Sequence, residues 1–257
     1  MVKWYGEKLC DEGFIINLEE RKDRYDRVKK NLKIGKFSGL KRFNAVKIID
    51  PNFLKYGCTQ SHIEIAKKQI KNKWEYVLYM EDDSVIDFFY NSSIKESQID
   101  KEKIAHNIIK ELNEKKPDVL WMGVRPEEET EYISNFMVKP KKTLMSHAYI
   151  GSLKYAKFLV DNLKYKDGNH FSGGYPIDFF ISQINTKDDW RINYFDNEKI
   201  IKNNDLKIYM TVPMIFNQGE SFSDLTDNHV YYEVWVRGCY QAYVNINKLN
   251  IKPLLNE

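Results

Sequence analysis

Three consecutive carboxylates, Glu81-Asp82-Asp83, follow directly on the run WEYVLYM at 74–80. Aromatic and β-branched residues in that density predict a strand. The acids then sit at a strand's carboxyl end, the edge at which open α/β sheets bind ligands. Adjacent carboxylates repel one another, and a cation among them relieves the repulsion. A hard divalent ion with oxygen ligands, Mn²⁺ or Mg²⁺, suits such a set. It can hold a diphosphate and neutralise the charge that grows on it as it departs. The plainer alternative is a solvated acidic turn, and the preceding buried strand favours the ion.

Further groups suit the handling of an anion. Asn17, Arg21 and Arg24 fall where the apolar run at 14–18 (FIINL) gives way to a charged helical pattern. A helix N-terminus there offers free N–H groups to a phosphate, and arginines three apart share a face. An ordinary charged helix surface is the competing reading. Gly57-Cys58-Thr59-Gln60-Ser61-His62 precedes another helical pattern. Its glycine permits an unusual torsion, and Ser61 with Glu64 has capping-box spacing. His147 suits a metal ligand, an acceptor contact or a structural role. Asp178 follows a Gly/Pro loop and suits a helix-start charge or a general base.

The elements that must position these groups alternate. Strands are expected at 14–18, 41–49, 74–80, 118–124, 146–151 and 207–216. Helices are expected at 19–33 (Tyr25, Val28 and Leu32 inward) and 59–72 (Ile63, Ala66 and Ile70 inward). Further helices are expected within 87–117 (Ile104, Ile108 and Leu112 on one face), at 152–163 (Leu153, Ala156, Val160 and Leu163 inward) and from 176. Residues 125–142 read as a loop, and 168–176 as a Gly/Pro loop. The aromatic-rich stretch 227–257 leaves helix and strand both open. Strand–helix alternation predicts an α/β sheet domain over 1–226, with 227–257 as an extension packed on it. The aromatics of that extension suit core packing, acceptor stacking or a homodimer seam.

Composition narrows the function classes. The chain has 257 residues, 42% hydrophobic and 14% aromatic, which excludes a disordered chain. A net charge of +3 disfavours a nucleic-acid-binding protein. No apolar run reaches membrane-spanning length, and no signal-peptide block opens the sequence. Cys10, Cys58 and Cys239 are odd in number and far apart, so they read as reduced thiols. A cytoplasmic protein of bacterial or viral origin is the expectation.

Taken together, the blocks resemble glycosyltransferase family 25, which includes lipopolysaccharide galactosyltransferases and collagen galactosyltransferase domains. The matching residues are Ile16-Asn17-Leu18 with Arg21, Asp23 and Arg24, then Gly57-Cys58 with Ser61-His62, then Glu81-Asp82-Asp83. Ser146-His147-Ala148-Tyr149, Pro176-Ile177-Asp178, and Pro213 with Gln218, Ser221 and Ser223 complete the order over about 14–226. Leu54 and Met145 stand where the family often has glycine. The resemblance implies a GT-A type, Rossmann-like mixed sheet flanked by helices. It implies a UDP-sugar donor (UDP-galactose or UDP-glucose), a glycan or protein acceptor, Mn²⁺, and inversion at the anomeric carbon. It places Asn17, Leu18, Arg21, Arg24, Ser61, His62, Asp82 and Gln218 at the donor. It places Glu81 and Asp83 on the metal, His147 and Tyr149 at the sugar or acceptor, and Asp178 as the base. A nucleotidyltransferase on a similar α/β plan, or a non-catalytic carbohydrate-binding protein, is the rival expectation.

Overall fold

A computed structural model describes residues 1–48, 54–163, 165–166, 170–171, 177, 180, 205–219, 221–223, 228–230, 232–244, 248–250, 252 and 255. The strands are β1 (Val2–Trp4), β2 (Glu7–Cys10), β3 (Glu12–Asn17), β4 (Phe37–Ser38), β5 (Lys41–Asn44) and β6 (Tyr76–Glu81). They continue as β7 (Ser84–Phe89), β8 (Val119–Pro126), β9 (Glu131–Tyr132), β10 (Met137–Lys139), β11 (Thr143–Ser152) and β12 (Tyr165–Lys166). The last are β13 (His170–Phe171), β14 (Ile208–Thr211), β15 (Met214–Gln218), β16 (Ser221–Ser223) and β17 (Asn228–Val230). The α-helices among the described residues are α1 (Lys22–Ile34), α2 (Leu54–Asn72), α3 (Lys101–Lys115), α4 (Leu153–Asn162) and α5 (Tyr232–Tyr243).

The fold is mixed α/β, built on an eight-stranded sheet of order β5-β3-β6-β11-β8-β14-β10-β9. β3 runs parallel to both β5 and β6, and β14 runs parallel to β8. β11 is antiparallel to both of its neighbours, β6 and β8. Helices flank the sheet. α2 and α4 pack on each other and against β6 and β11, α1 packs against β3, β4 and β7, and α5 packs against β8 and β15. Every residue of β3 and of β8 is buried, as strands covered on both faces require.

Two helix boundaries show how local chemistry sets the elements. Asp100 caps α3 by accepting a hydrogen bond from the Lys103 N–H at 3.0 Å, and Ser152 caps α4 by accepting one from the Tyr155 N–H at 3.1 Å. On α3 the buried face includes Ile104, Ile108 and Leu112, which is the expected stripe. On α4 it is Tyr155, Ala156 and Leu159, so the expected inward positions Leu153 and Val160 are only half-buried.

Several expectations are corrected. The strand expected over 41–49 ends at Asn44. The helix expected at 59–72 begins at Leu54, which places Ser61 inside it. Residues 84–89 form β7, whose last three residues fall in the stretch 87–117 where only a helix was expected. The expected loop 125–142 carries β9 and β10. The single strand expected at 207–216 is two, β14 and β15, in different sheets. They part at Val212-Pro213, where proline has no N–H for the ladder. The undecided tail contains helix α5. The Gly/Pro loop at 168–176 and the helix expected after it lie almost wholly outside the described residues, as does Asp178.

Candidate active site

The chain runs from β3 through α1 and β4 to β5 on one side of β3, then through α2 to β6 on the other side. That reversal makes the carboxyl end of β3 a topological switch point, where α/β sheets open a crevice. Asn17 ends β3 there, and Glu81 ends β6 beside it, with Ile16 in register with Glu81. Asp82 and Asp83 then form a turn. Beyond it β7 leaves the large sheet to pair with β15. The acidic triplet therefore stands where the chain passes from one sheet to another.

The three carboxylates turn to three different partner sets. Asp82 Oδ2 accepts a hydrogen bond from Asn17 Nδ2 at 2.6 Å, and its Oδ1 accepts one from Arg24 Nη1 at 3.2 Å. Asp83 Oδ2 accepts one from Gln218 Nε2 at 2.8 Å. Asp83 Oδ1 is buried with no hydrogen-bond partner among the described residues. Glu81 Oε1 lies 3.7 Å from Cys58 Sγ and 3.7 Å from His62 Nε2. Glu81 thus lies beside α2 as well as next to Asp83 in the chain.

Burial is the main cause that lifts the Asp82 carboxyl to about 6, with the neighbouring Asp83 charge second; Asn17 and Arg24 oppose the rise. Burial likewise lifts Asp83 to about 6, with Glu81 second and Gln218 opposing. A buried acid with one unpartnered oxygen pays a desolvation cost that a bound cation removes. The donor chemistry at Asp83 fits a hard divalent ion.

Asn17 is the hub of the first strand–helix junction. Its Nδ2 also donates to the Arg21 carbonyl at 2.9 Å, and its Oδ1 accepts from Arg42 Nε at 2.9 Å. Arg42 Nη2 further donates to the Leu18 carbonyl at 3.2 Å and the Glu19 carbonyl at 3.1 Å, and its guanidinium lies over the Tyr25 ring. Sequence reasoning missed Arg42; its one signal is an arginine inside an otherwise strand-like segment. Arg24 joins the acidic turn, whereas Arg21 pairs with Asp23 on the surface side of α1, at 3.0 and 2.9 Å.

Other candidates are buried. Ser61 is not a helix cap: its hydroxyl donates to the Gly57 carbonyl at 2.7 Å and accepts from the Val46 N–H at 2.8 Å. Both of these bonds are internal to the fold. Gly57 serves close approach rather than an unusual torsion, since a Cβ there would lie 2.5 Å from the Val46 carbonyl oxygen. His62 is buried, with Nδ1 2.8 Å from the Tyr149 hydroxyl. Its ring stacks near-parallel to Tyr79 and Tyr149, which are themselves a cross-strand pair stacked at 4.8 Å. Tyr149 therefore lies within the core and presents no face to an acceptor sugar.

His147 is also buried, and burial lowers its imidazole to about 4, so it is neutral. Its Nε2 lies 3.4 Å from the Phe216 carbonyl, and its ring occupies the space above Gly123. The register of β11 against β8 slips between Leu144 and Ala148 and again between Ala148 and Tyr149. Met145 within the first slip has φ +67°, a left-handed conformation that costs a non-glycine residue about 1–2 kcal/mol. Bulged register breaks the strict alternation of side chains, and it is here that His147 is re-aimed into the core. Both residues of the expected sugar or acceptor pair, His147 and Tyr149, are therefore buried side chains.

No family model matches the sequence, and no curated protein matches it. Among solved structures it resembles the crystal structure of apo UDP-glucose pyrophosphorylase, at TM-score 0.39 and 9% identity, covering 90% of this chain and 79% of that chain. A likeness of that degree says nothing about chemistry. Among the described residues, no helix is long and apolar enough to cross a membrane.

Proposed function

We propose that this chain is a metal-dependent glycosyltransferase of GT-A plan that moves galactose or glucose from a UDP-sugar to an acceptor hydroxyl on a glycan or protein. The carrying observation is Asp83: a buried carboxylate at a switch-point turn, fixed through one oxygen by Gln218 and unpartnered at the other. The family 25 resemblance over about 14–226 supports the same reading.

In this reading Asp83 holds Mn²⁺ or Mg²⁺, and the ion supplies neutralising charge to the departing diphosphate. Gln218 fixes the rotamer of Asp83. Asp82, clamped by Asn17 and Arg24, faces the donor's ribose or sugar, and Arg42 holds Asn17 in place. Asp178 takes the proton from the acceptor hydroxyl as general base. The acceptor oxygen then bonds to the anomeric carbon while the bond from that carbon to UDP breaks. One displacement inverts the configuration.

The test is a screen of UDP-galactose and UDP-glucose for Mn²⁺-dependent release of free UDP, which needs no acceptor. Asp83→Asn abolishes that release and leaves the far-ultraviolet circular dichroism unchanged. Pyrophosphate in place of UDP, with a nucleoside triphosphate as co-substrate, assigns nucleotidyl transfer instead. No metal-dependent affinity for UDP in calorimetry overturns both in favour of a non-catalytic binding protein.

A further inference from the structure

Cys58 and His62 stand one turn apart on α2, and that spacing puts both side chains on one face. Glu81, at the end of β6, faces them. Its Oε1 is 3.7 Å from Cys58 Sγ and 3.7 Å from His62 Nε2. All three ligand atoms lie within 4.8 Å of one another. A tetrahedral zinc ion has Zn–S near 2.3 Å and Zn–N or Zn–O near 2.0 Å, so neighbouring ligand atoms fall about 3.3–3.6 Å apart. The two spacings to Glu81 approach that edge length, and the sulfur-to-nitrogen spacing is within 4.8 Å.

The geometry points to a cation site in which Cys58, His62 and Glu81 bind a zinc-class divalent ion through sulfur, nitrogen and oxygen, with Tyr149 orienting the imidazole from behind. It is separate from the hard-ion role of Asp83 and does not rest on the glycosyltransferase reading.

Three features support it. First, the imidazole is held at its far side. The Tyr149 hydroxyl lies 2.8 Å from Nδ1, and in the tautomer that carries its proton on Nδ1 the Nε2 lone pair is the one available to a metal. Metal-bound histidines are held in this way by an outer partner. The two flanking tyrosine rings stack within 9° of the imidazole plane and fix its tilt. Second, the ligand types differ from those of a magnesium or manganese site. Sulfur and imidazole nitrogen select zinc-class ions over hard ones. Third, His62 is buried while Cys58 and Glu81 are half-buried. An ion can therefore reach the triad from the side of Cys58 and Glu81.

Binding breaks the Cys58 S–H bond, sends its proton to solvent and forms a sulfur–metal bond. The thiolate and the Glu81 carboxylate together balance the two positive charges. Cys10 is fully buried beside Glu12, with its thiol 3.1 Å from the Glu12 carbonyl, and burial pushes it up to about 12. It is no competing ligand.

The test uses the whole chain, reduced and stripped with EDTA, and titrated with Co²⁺ as a spectroscopic probe. The expected result is one equivalent bound with a sulfur-to-cobalt charge-transfer band and tetrahedral visible absorption, both lost when Zn²⁺ is added. Cys58→Ser removes the charge-transfer band. Tyr149→Phe keeps the band and weakens affinity about 10- to 100-fold. Asp83→Asn leaves the band in place. On the unmodified protein, Zn²⁺ slows alkylation of Cys58 as mapped by mass spectrometry; this arm decides the matter if Cys58→Ser does not fold. Cobalt bound without a thiolate band, a band that persists in Cys58→Ser, or Cys58 alkylation unaffected by Zn²⁺ overturns the site. Sugar transfer that survives chelation overturns the role of Asp83 and leaves this site standing.

Discussion

Asp82 and Asp83 share one turn, and both carboxyls are raised from 3.8 to about 6. A carboxyl raised by folding holds its proton more tightly in the folded state. The stability it contributes is full below about pH 4 and is lost as pH rises through about 6. In the metal-free protein, Asp83→Asn removes that loss at one of the two positions. Urea midpoints of the variant and the parent should then agree near pH 4 and separate in the variant's favour by pH 7. Divalent-ion affinity of the parent should rise over the same window as the proton leaves; a flat profile in either measurement contradicts the burial argument. A second residue-scale prediction concerns Gly123. A Cβ there would lie 2.6 Å from His147 Nε2 and 2.8 Å from Phe216 Cβ, so Gly123→Ala should cost about 1–3 kcal/mol in urea unfolding. At this scale the sequence made the acidic triplet legible, since three adjacent acids after an apolar strand need no further context. It did not reveal that the acids take different partners. Their directions are set by Cys58 and His62 on α2, Arg24 on α1 and Gln218 on β15, none of which is a sequence neighbour.

Elements with clean periodicity were the readable ones. α3 buries the stripe its spacing implied, α1 buries Val28 and Leu32 with Tyr25 half-buried, and β3, β6 and β8 match their apolar runs. β7 was hidden because only part of it is buried: Val85, Ile86 and Phe89 are half-exposed and Asp87 is charged. That aspartate has a distant partner. Arg237 on α5 donates two bonds of 2.8 Å to Asp87, and Asn217 Nδ2 donates a third at 3.0 Å. The clamp ties the late helix to the ribbon that begins at the acidic turn. Arg237→Ala leaves the buried Asp87 with Asn217 and should lower stability by about 1–3 kcal/mol. Asn217 should be the more tolerant of the two, because Arg237 alone still pairs the charge. Double-mutant unfolding of Arg237→Ala with Asp87→Asn measures the coupling, and additive losses count against the clamp.

Across the molecule, the expected alternation of strand and helix is present, and the sheet mixes directions more than alternation alone conveys. β11 enters against both neighbours, an arrangement set by tertiary pairing and not by any residue within 146–151. The proposed donor site gives a whole-chain readout. Mn²⁺ with UDP at about 100 times its dissociation constant stabilises by ~2.7 kcal/mol, which for a chain of this length raises Tm by about 5–10 °C. UDP alone should shift Tm far less, and Asp83→Asn should remove the difference; an equal shift with and without the ion argues against a metal-held diphosphate.

β11 joins the strand group of β5, β3 and β6 to the group that begins with β8. It is made from residues 143–152, after β6 and β8 have already been synthesised. A nascent chain halted before Thr143 therefore carries two long apolar borders with no strand between them. Such borders invite pairing with other chains, so amino-terminal fragments ending near residue 142 should accumulate as insoluble material, and supplying the missing decapeptide in trans should keep more of them in solution.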